Sequence, residues 1–266
     1  MGGIEHVFIG GVKVATASRA ELTAAIVADS LERRTSGREQ PPRLLFDANG
    51  HGLSLAARDP EFRRALESAD AVHADGGFLV PLSRVIAGAP IAERSATTDL
   101  IHDVAAAGLK DGLSHYLLGA TEEVNARCAE RLRELHPGLV IAGRRNGYFT
   151  PDEEAQVVGE INSANPDVLW IGLGKPLEQF FAVRNRERLR AGWAISCGGC
   201  FNYITGHYRR APRWMQDHGL EWLFRAATTP GLLGRYATTS PHALWLALSR
   251  VDRRRIPDPG TSAATR

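Results

Sequence analysis

The sequence is poor in cysteine and has no long apolar run. Three cysteines among 266 residues are too few to build a disulfide framework, which fits a reducing cytosol. No stretch approaches the roughly 20 apolar residues that cross a bilayer. The first residues, Met1 to His6, also lack the charged-then-apolar order of a signal peptide. We therefore expect a globular protein that works in the cytoplasm.

Several nucleotide and metal motifs are missing as well. No G-x-x-x-x-G-K-[S/T] segment occurs, which argues against a P-loop. Gly172-Leu173-Gly174 begins like a dinucleotide fingerprint, but Leu177 stands where the third glycine is required, which argues against an NAD-dependent dehydrogenase. No Asp-x-Asp pair follows a predicted strand, so nothing requires a metal to hold a diphosphate. Cys197 and Cys200 have CxxC spacing without further zinc ligands, and we interpret them as two small side chains.

Short apolar runs alternate with helical patterns in the middle of the chain. Behind Thr121, apolar residues recur at helical spacing, and Thr150-Pro151-Asp152-Glu153 is a capping box that opens a helix to about Ser163. Four strands are predicted here: His115 to Leu118, Leu139 to Ala142, Asp167 to Ile171 and Trp193 to Cys197. A further helix is predicted from the turn after the third of these strands through Arg190. Helices between strands mean βαβ units and a mainly parallel sheet.

The first third of the chain is similar but less regular. Strands are predicted at Val7 to Ile9 and Leu44 to Phe46, and helices at Arg19 to Leu31 and Pro60 to Ser68. The fold class is thus α/β, a Rossmann-like, mainly parallel sheet flanked by helices. We expect this domain to span residues 1–206, a helical and basic C-terminal appendage to span 207–256, and a disordered tail to follow over 257–266.

Glycines and polar side chains follow the predicted strands. These segments are Gly119-Ala120-Thr121, Asn146-Gly147-Tyr148, Gly172 to Lys175, and Gly198-Gly199. Ligands of open parallel sheets bind outside the carboxyl ends of the strands, and glycines let a backbone approach a phosphate closely. We expect the functional site at this edge.

Asp75 is the most suggestive acid in the chain. It follows the apolar stretch Ala71 to Ala74, so a carboxylate at a strand end could act as a general base. An equally good interpretation makes it the N-cap of a helix that begins near Gly76. Arg94 has two interpretations as well, a phosphate clamp or a surface partner of Glu93 or Asp99.

The last sixty residues are basic and contain an amphipathic segment. The formal net charge of +2 is too small to indicate nucleic acid, but basic residues are concentrated over 184–190 and 209–255. A short helix is predicted from Asp217 to Ala227. Ser240-Pro241 is predicted to cap a last helix, with Leu244, Leu248 and Val251 on one face, Trp245 beside them and Arg250, Arg253, Arg254 and Arg255 at its end. This helix either packs on the core or rests on anionic lipid, where Trp and Arg are favoured.

A set of ordered blocks resembles one family from about Val7 through Tyr236. The blocks are Asp59-Pro60-Glu61-Phe62 with Ala69 to Val72 and Asp75-Gly76; Glu93-Arg94 with Asp99-Leu100; Gly119-Ala120; Asn146 to Phe149; Gly172 to Pro176; Arg210-Ala211-Pro212; and Gly219 to Arg225. They resemble the WecG/TagA/CpsF glycosyltransferases, glycosyltransferase family 26. The resemblance implies inverting, metal-independent transfer of a hexose or N-acetylhexosamine-type sugar from a UDP-sugar to a polyprenyl-diphosphate-linked sugar. It also implies no cofactor, no nucleic-acid partner, a peripheral position at the inner face of the cell membrane, and possible homo-oligomers.

The same resemblance assigns residues to the site. Asp75 becomes the candidate base, Asn49 orients a substrate, and Arg94 binds the diphosphate. The predicted nucleotide-binding residues are Gly119, Tyr148, Gly172, Gly174, Lys175, Glu178, Gln179 and Asn202. Arg210, Arg225 and Arg235 are expected to reach the diphosphate or the acceptor from the appendage.

The chain departs from the family pattern within these blocks. Asp47 stands where the family usually has Thr, and Glu178-Gln179 reverses the usual Gln-Glu order. Thr97 replaces a glycine, Asn202 replaces an aspartate, and Leu232 lies near an expected arginine. The donor sugar could therefore differ, and Asp47 could share or replace the role of Asp75. An alternative is a membrane-associated subunit that binds sugar nucleotides but has lost activity.

Overall fold

The structure is a computed structural model, and it describes residues 4–37, 40–86, 89–217, 221–228, 232–250 and 252–256. The strands are β1 His6–Ile9, β2 Val12–Ala15, β3 Arg43–Ala48, β4 Ala71–Ala74, β5 Ser114–Gly119, β6 Val140–Arg145, β7 Val168–Gly172, β8 Trp193–Ser196 and β9 Asp252–Ile256. A six-stranded sheet has the order β4-β3-β8-β7-β5-β6, and every neighbouring pair is parallel. The predicted α/β class is confirmed.

Helices occupy both faces of this sheet. They are α1 Arg19–Ser36, α2 Gly50–Arg58, α3 Pro60–Glu67, α4 Leu79–Ile86, α5 Thr97–Gly108, α6 Glu122–Leu135, α7 Glu154–Ala164, α8 Leu177–Arg184, α9 Cys200–Ile204, α10 Arg213–Asp217, α11 Glu221–Thr228 and α12 Leu232–Ser249. Within the described ranges, none of these helices is long and apolar enough to cross a membrane.

Two hydrophobic cores lie on opposite sides of the parallel sheet. Along β7, Leu169 and Ile171 pack in one core, while Val168 and Trp170 pack in the other. Successive side chains of a strand point to opposite faces, and here both faces are covered by helices. This double burial explains why the strands appear in the sequence as continuous apolar runs.

A second, three-stranded sheet was not anticipated. The predicted strand at Val7 to Ile9 is β1, but it belongs to an antiparallel sheet of order β2-β1-β9. Gly10 and Gly11, with φ of 62° and 87°, join β1 to β2 in a two-residue hairpin turn that needs positive φ at both positions. The arginines at 253–255 lie in β9 rather than at the end of a helix, which corrects that expectation.

Three helix boundaries also differ from the predictions. The helix expected to run through Arg190 ends at Arg184, where the Asn185 side chain donates to the Phe181 carbonyl. The helix expected from Asp217 begins at Glu221. Pro241 does not start the last helix but lies inside α12, which begins at Leu232. Val251 and the tail over 257–266 lie outside the described residues.

Packing explains why α12 continues through its proline. Ala243, Leu246 and Ala247 are fully buried, and Ala243 lies against Gly50 at the start of α2. His242 adds a 2.8 Å hydrogen bond to Ser54 of α2. Proline costs about 3 kcal/mol in a helix interior, and burial of three apolar side chains offsets a cost of this size. The predicted appendage is therefore packed along α2, beside the carboxyl edge of the parallel sheet.

Candidate active site

A cavity of ≈ 830 Å³ opens at the carboxyl ends of β3, β4, β7 and β8. Helices α11 and α12 form its outer wall. Its acidic, basic and histidine lining residues are Asp47, His51, Asp75, Arg94, Lys175, Glu178, Glu221, Arg225 and Arg235. Asn49 and Gly174 line it too. Nine of the residues predicted from sequence are thus in one place, at the predicted edge of the sheet.

Asn49 lies between the two candidate carboxylates. Its Nδ2 is 2.9 Å from Oδ2 of Asp47 and 3.5 Å from Oδ2 of Asp75. Its Oδ1 accepts a hydrogen bond from the Gly52 amide at 3.0 Å, so the same side chain is the N-cap of α2. The cap fixes the orientation of the amide, and the amide then joins the ends of β3 and β4.

Asp47 is enclosed by partners. It is 5% exposed; Ser196 Oγ donates to its Oδ1 at 3.0 Å, and the ammonium of Lys175 donates to its Oδ2. Burial alone would raise the pKa of Asp47, but Lys175 and His73 outweigh it and the pKa is lowered. Both oxygens of an ionised carboxylate are occupied, which leaves Asp47 poorly placed to accept a proton from a substrate.

Asp75 has one carboxylate oxygen with only a weak hydrogen-bond partner. Its Oδ1 accepts from the Thr97 amide at 3.3 Å, at the N-terminal end of α5, and lies 3.8 Å from Arg94. Its Oδ2 meets only the distant Asn49 amide among the described residues. Asp75 does not act as an N-cap near Gly76, the alternative left open by the sequence, because the amide that it accepts from belongs to α5.

Arg94 joins the carboxyl end of β4 to α11. Its Nε donates to the Asp75 carbonyl at 2.6 Å, and its Nη1 lies 2.7 Å from Oε2 of Glu221. Burial would lower the pKa of Arg94, but Asp75 and Glu221 raise it. The two surface partners suggested by sequence are used elsewhere, since Glu93 accepts from the Arg19 amide and Asp99 pairs with Arg210.

Glu178 is a fully buried carboxyl at the base of the cavity. Its Oε2 accepts from the amides of Gly174 and Gly198 at 3.0 and 2.9 Å, and Lys175 Nζ lies 4.0 Å from its Oε1. Burial raises the pKa of Glu178 to about 7, against the opposing effect of Lys175. The group therefore ties the turns after β7 and β8 together and changes charge near neutral pH.

Two arginines face the cavity from the C-terminal helices. The Arg225 guanidinium lies 5.4 Å from the ring centroid of Tyr203, and that of Arg235 lies 5.5 Å from that of Tyr236. Neither pairs within 4.0 Å with a carboxylate in the part of the chain that the structure describes. His51 beside them has a pKa lowered to about 4 by burial and by the charges of Arg235 and Lys175, so it is neutral at pH 7. This end of the cavity carries positive charge suited to a phosphate.

The remaining predicted site residues lie outside the cavity lining. Gly119 and Gly172 pack backbone to backbone, since a Cβ on Gly119 would lie 2.3 Å from the Gly172 carbonyl oxygen. Tyr148 is 77% exposed on the loop after β6, and Gln179 is fully buried beside Glu178. Their roles in nucleotide binding stay predictions.

Asn202 and Arg210 are also set apart from the lining. The Asn202 carbonyl accepts from the Tyr208 amide at 3.0 Å, and Arg210 pairs with Asp99 at the N-terminal turn of α5. Both contacts fasten the segment after α9, and neither tests the predicted binding role.

Sequence reasoning missed part of the wall. Tyr203, Glu221 and Trp222 line the cavity, as do Leu233, Tyr236 and Leu244 of α12. Glu221 and Trp222 belong to the block Gly219 to Arg225, but that block assigned only Arg225 to the site. No local pattern marks the others, because only the return of α11 and α12 across the sheet edge brings them to the cavity. Among the described residues, no group of three or more His, Cys, Asp or Glu is arranged to hold a metal ion.

Apolar side chains of α10 to α12 are exposed beside the cavity. Those exposed by about two fifths or more are Trp214, Trp222, Leu223, Leu233, Leu244, Trp245 and Leu248. We call this set the apolar face. Arg213 and Arg250 are exposed at its two ends.

Two comparisons identify known proteins to which this chain is similar. The family model of the glycosyl transferase WecG/TagA/CpsF family matches residues 7–256. An N-acetylglucosaminyldiphosphoundecaprenol N-acetyl-beta-D-mannosaminyltransferase of Bacillus spizizenii is 31% identical over 175 residues, which is 66% of this chain and 67% of the relative.

Proposed function

The chain belongs to the WecG/TagA/CpsF family of glycosyltransferases, and we propose that it moves a hexose or N-acetylhexosamine-type sugar from a UDP-sugar to a polyprenyl-diphosphate-linked sugar. The observation that carries this proposal is one cavity whose lining holds both a carboxylate and, among the described residues, unpaired positive charge. Asp75 presents a carboxylate oxygen to it, and Arg225 and Arg235 present positive charge.

Asp75 is the base in this proposal. Its Oδ2 accepts the proton of the acceptor hydroxyl as the hydroxyl oxygen bonds to the anomeric carbon of the donor sugar. The bond from that carbon to the diphosphate oxygen breaks, and its electron pair leaves with UDP. A single displacement of this kind inverts the configuration at the anomeric carbon. Asn49 and the Thr97 amide hold the carboxylate in place through the contacts described above.

The departing diphosphate is stabilised by Arg225 and Arg235. Arginine binds phosphate oxygens through two parallel N–H groups, and charge of this kind can replace a metal ion. Lys175 and Arg94 already neutralise Asp47 and Glu221, which favours the two other arginines for this role. We propose that Arg94 instead positions Asp75 and fastens α11 over the cavity.

The apolar face supports binding to a membrane surface. Trp and Leu side chains flanked by arginine are favoured at the boundary between lipid headgroups and acyl chains. The relative from Bacillus spizizenii is named for an undecaprenol-linked acceptor, and such an acceptor stays in the bilayer. We propose peripheral binding to the inner face of the cell membrane, with the apolar face toward the lipid.

A transfer assay tests the proposal. The protein is incubated with N-acetylglucosaminyl-diphospho-undecaprenol and one of UDP-N-acetylmannosamine, UDP-N-acetylglucosamine or UDP-glucose, with and without EDTA. Transfer from one donor at equal rates in both conditions supports a metal-independent transferase and identifies the donor. Thermal stabilisation by UDP, together with no transfer from any donor, would favour a non-catalytic binding subunit.

A further inference from the structure

One face of α12 is turned toward the cavity along most of the helix. The α12 residues in the lining are Leu233, Arg235, Tyr236, Ala237, Ser240, Pro241 and Leu244, and those other than Arg235 follow one another at spacings of three and one. This is the periodicity of a single helical face. At 1.5 Å per residue, the stripe from Leu233 to Leu244 is about 16 Å long. Most of its side chains are apolar.

The stripe joins the cavity to the apolar face. Leu233 and Leu244 line the cavity, yet 64% and 48% of their surfaces are exposed. Trp222 of α11 has the same double position, with 43% exposed. Leu248 continues the stripe one turn beyond the cavity and belongs to the apolar face. A chain could therefore pass from the cavity to the proposed lipid surface over Pro241, Leu244 and Leu248, which are apolar.

An apolar side chain outside the C-terminal helices, Phe78, bounds this passage on the side of the sheet. Phe78, which precedes α4, lines the cavity and contacts the position where a Cβ on Gly50 would lie, at 3.4 Å. The passage is thus bounded by Phe78 and Trp222 as well as by α12. Arg235 is the charged residue that α12 contributes to the lining, and Pro241 and Leu244 lie six and nine residues beyond it along the helix. This separation suits a ligand with a polar head and an apolar tail.

We propose that the isoprenoid chain of the acceptor lipid leaves the cavity along α12, over Leu233, Pro241 and Leu244. The inference rests on the proposed function for the identity of the lipid. It assigns a separate binding site to the chain, in addition to the sites for sugar and diphosphate. Burial of the chain against these side chains adds affinity that a short-chain acceptor lacks.

Binding of two probes tests this passage for the isoprenoid chain, which we call the channel, and the test does not depend on turnover. Undecaprenyl diphosphate and butyl diphosphate share a headgroup, and their Kd values are measured in one non-ionic detergent in the absence of bilayers. Leu233→Gln and Leu244→Gln are expected to raise the Kd of undecaprenyl diphosphate about fivefold each and to leave that of butyl diphosphate unchanged. Leu135→Gln is the matched control, since Leu135 is 45% exposed at the end of α6, outside the cavity.

The outcomes separate the channel from the reaction. Equal losses for both probes, or no loss for either, would overturn the channel and leave the proposed transfer intact. Loss confined to the long-chain probe, in a wild-type protein that transfers no sugar, would keep the channel and overturn the proposed function. Melting temperatures of the variants check that the half-exposed leucines are not needed for folding.

Discussion

The ammonium of Lys175 and the carboxylate of Asp47 form an ion pair that is almost closed to water, although 128 residues separate them in the chain. Burial would lower the pKa of Lys175, but Asp47 and then Glu178 raise it. The pair therefore keeps both charges at neutral pH. Because the Asn49 amide contacts both Asp47 and Asp75, the ion pair also helps to hold the carboxylate of the proposed base in position.

We expect Lys175 and Asp47 to be strongly coupled in stability. Lys175→Met leaves a buried carboxylate without its cation, and Asp47→Asn leaves a buried ammonium with only Glu178 at 4.0 Å, so each should lower the free energy of unfolding by about 3–5 kcal/mol. The double variant removes both charges and should cost less than the sum by roughly 1–3 kcal/mol. Urea denaturation of the four proteins gives this coupling energy.

The exposed pair Arg131 and Glu134 on α6 is the control for this cycle. Its nitrogen and oxygen lie 2.8 Å apart, yet both side chains are about half exposed. Solvent screening should hold its coupling to a small fraction of that of the buried pair. A similar coupling for the two pairs would show that burial adds nothing to the Lys175–Asp47 interaction.

Asp75→Asn should remove transfer while UDP binding persists. The amide keeps the size of the side chain but cannot accept the acceptor proton, and loss of a general base typically costs about 10²–10⁴ in rate. Turnover is followed with the lipid-linked acceptor, and UDP affinity by calorimetry. Asp47→Asn in the same assays distinguishes the two carboxylates: a larger loss of kcat at Asp47 than at Asp75 would move the base to Asp47.

The parallel sheet and its site-bearing edge could be predicted from local sequence. The strands are buried on both faces, so β5, β7 and β8 appear as apolar runs, and Thr150 with Glu153 forms the expected capping box. Asp75 was placed correctly at a strand end because it directly follows such a run. These features depend on a few adjacent residues.

The outer wall of the cavity could not be predicted in the same way. Proline is most often found in the first turn of a helix, so Pro241 indicated a helix start. Burial of Ala243 and its neighbours instead keeps Pro241 inside α12. The contact of Arg225 with Tyr203 and the pairing of Arg94 with Glu221 join distant segments. Such contacts depend on how whole helices pack, and no short motif encodes them.

The apolar face should carry membrane binding. Trp245→Gln removes an indole that is 60% exposed and should lower sedimentation with vesicles containing phosphatidylglycerol about fivefold. Leu135→Gln, at a similar exposure on α6, should leave sedimentation unchanged. Equal sedimentation of wild type and the Trp245 variant would place the lipid contact elsewhere on the molecule.

Glu178 should make stability depend on pH near neutrality. Burial raises its pKa to about 7 from an ordinary value of 4.5, so the folded state holds a proton that the unfolded state has released between these values. The contribution of this carboxyl to stability is therefore complete below pH 4.5 and is lost as pH rises through about 7. Glu178→Gln stays neutral and should not show this loss.

Relative to wild type, Glu178→Gln should accordingly gain on the order of 2 kcal/mol in free energy of unfolding between pH 5 and pH 8. Urea titrations at the two pH values measure the change. Glu154→Gln is the control, because hydrogen bonds from Arg184 lower the pKa of Glu154 and its titration lies below this range. If the difference between Glu178→Gln and wild type stays constant from pH 5 to 8, Glu178 does not titrate in this range and the pH dependence inferred from its burial is wrong.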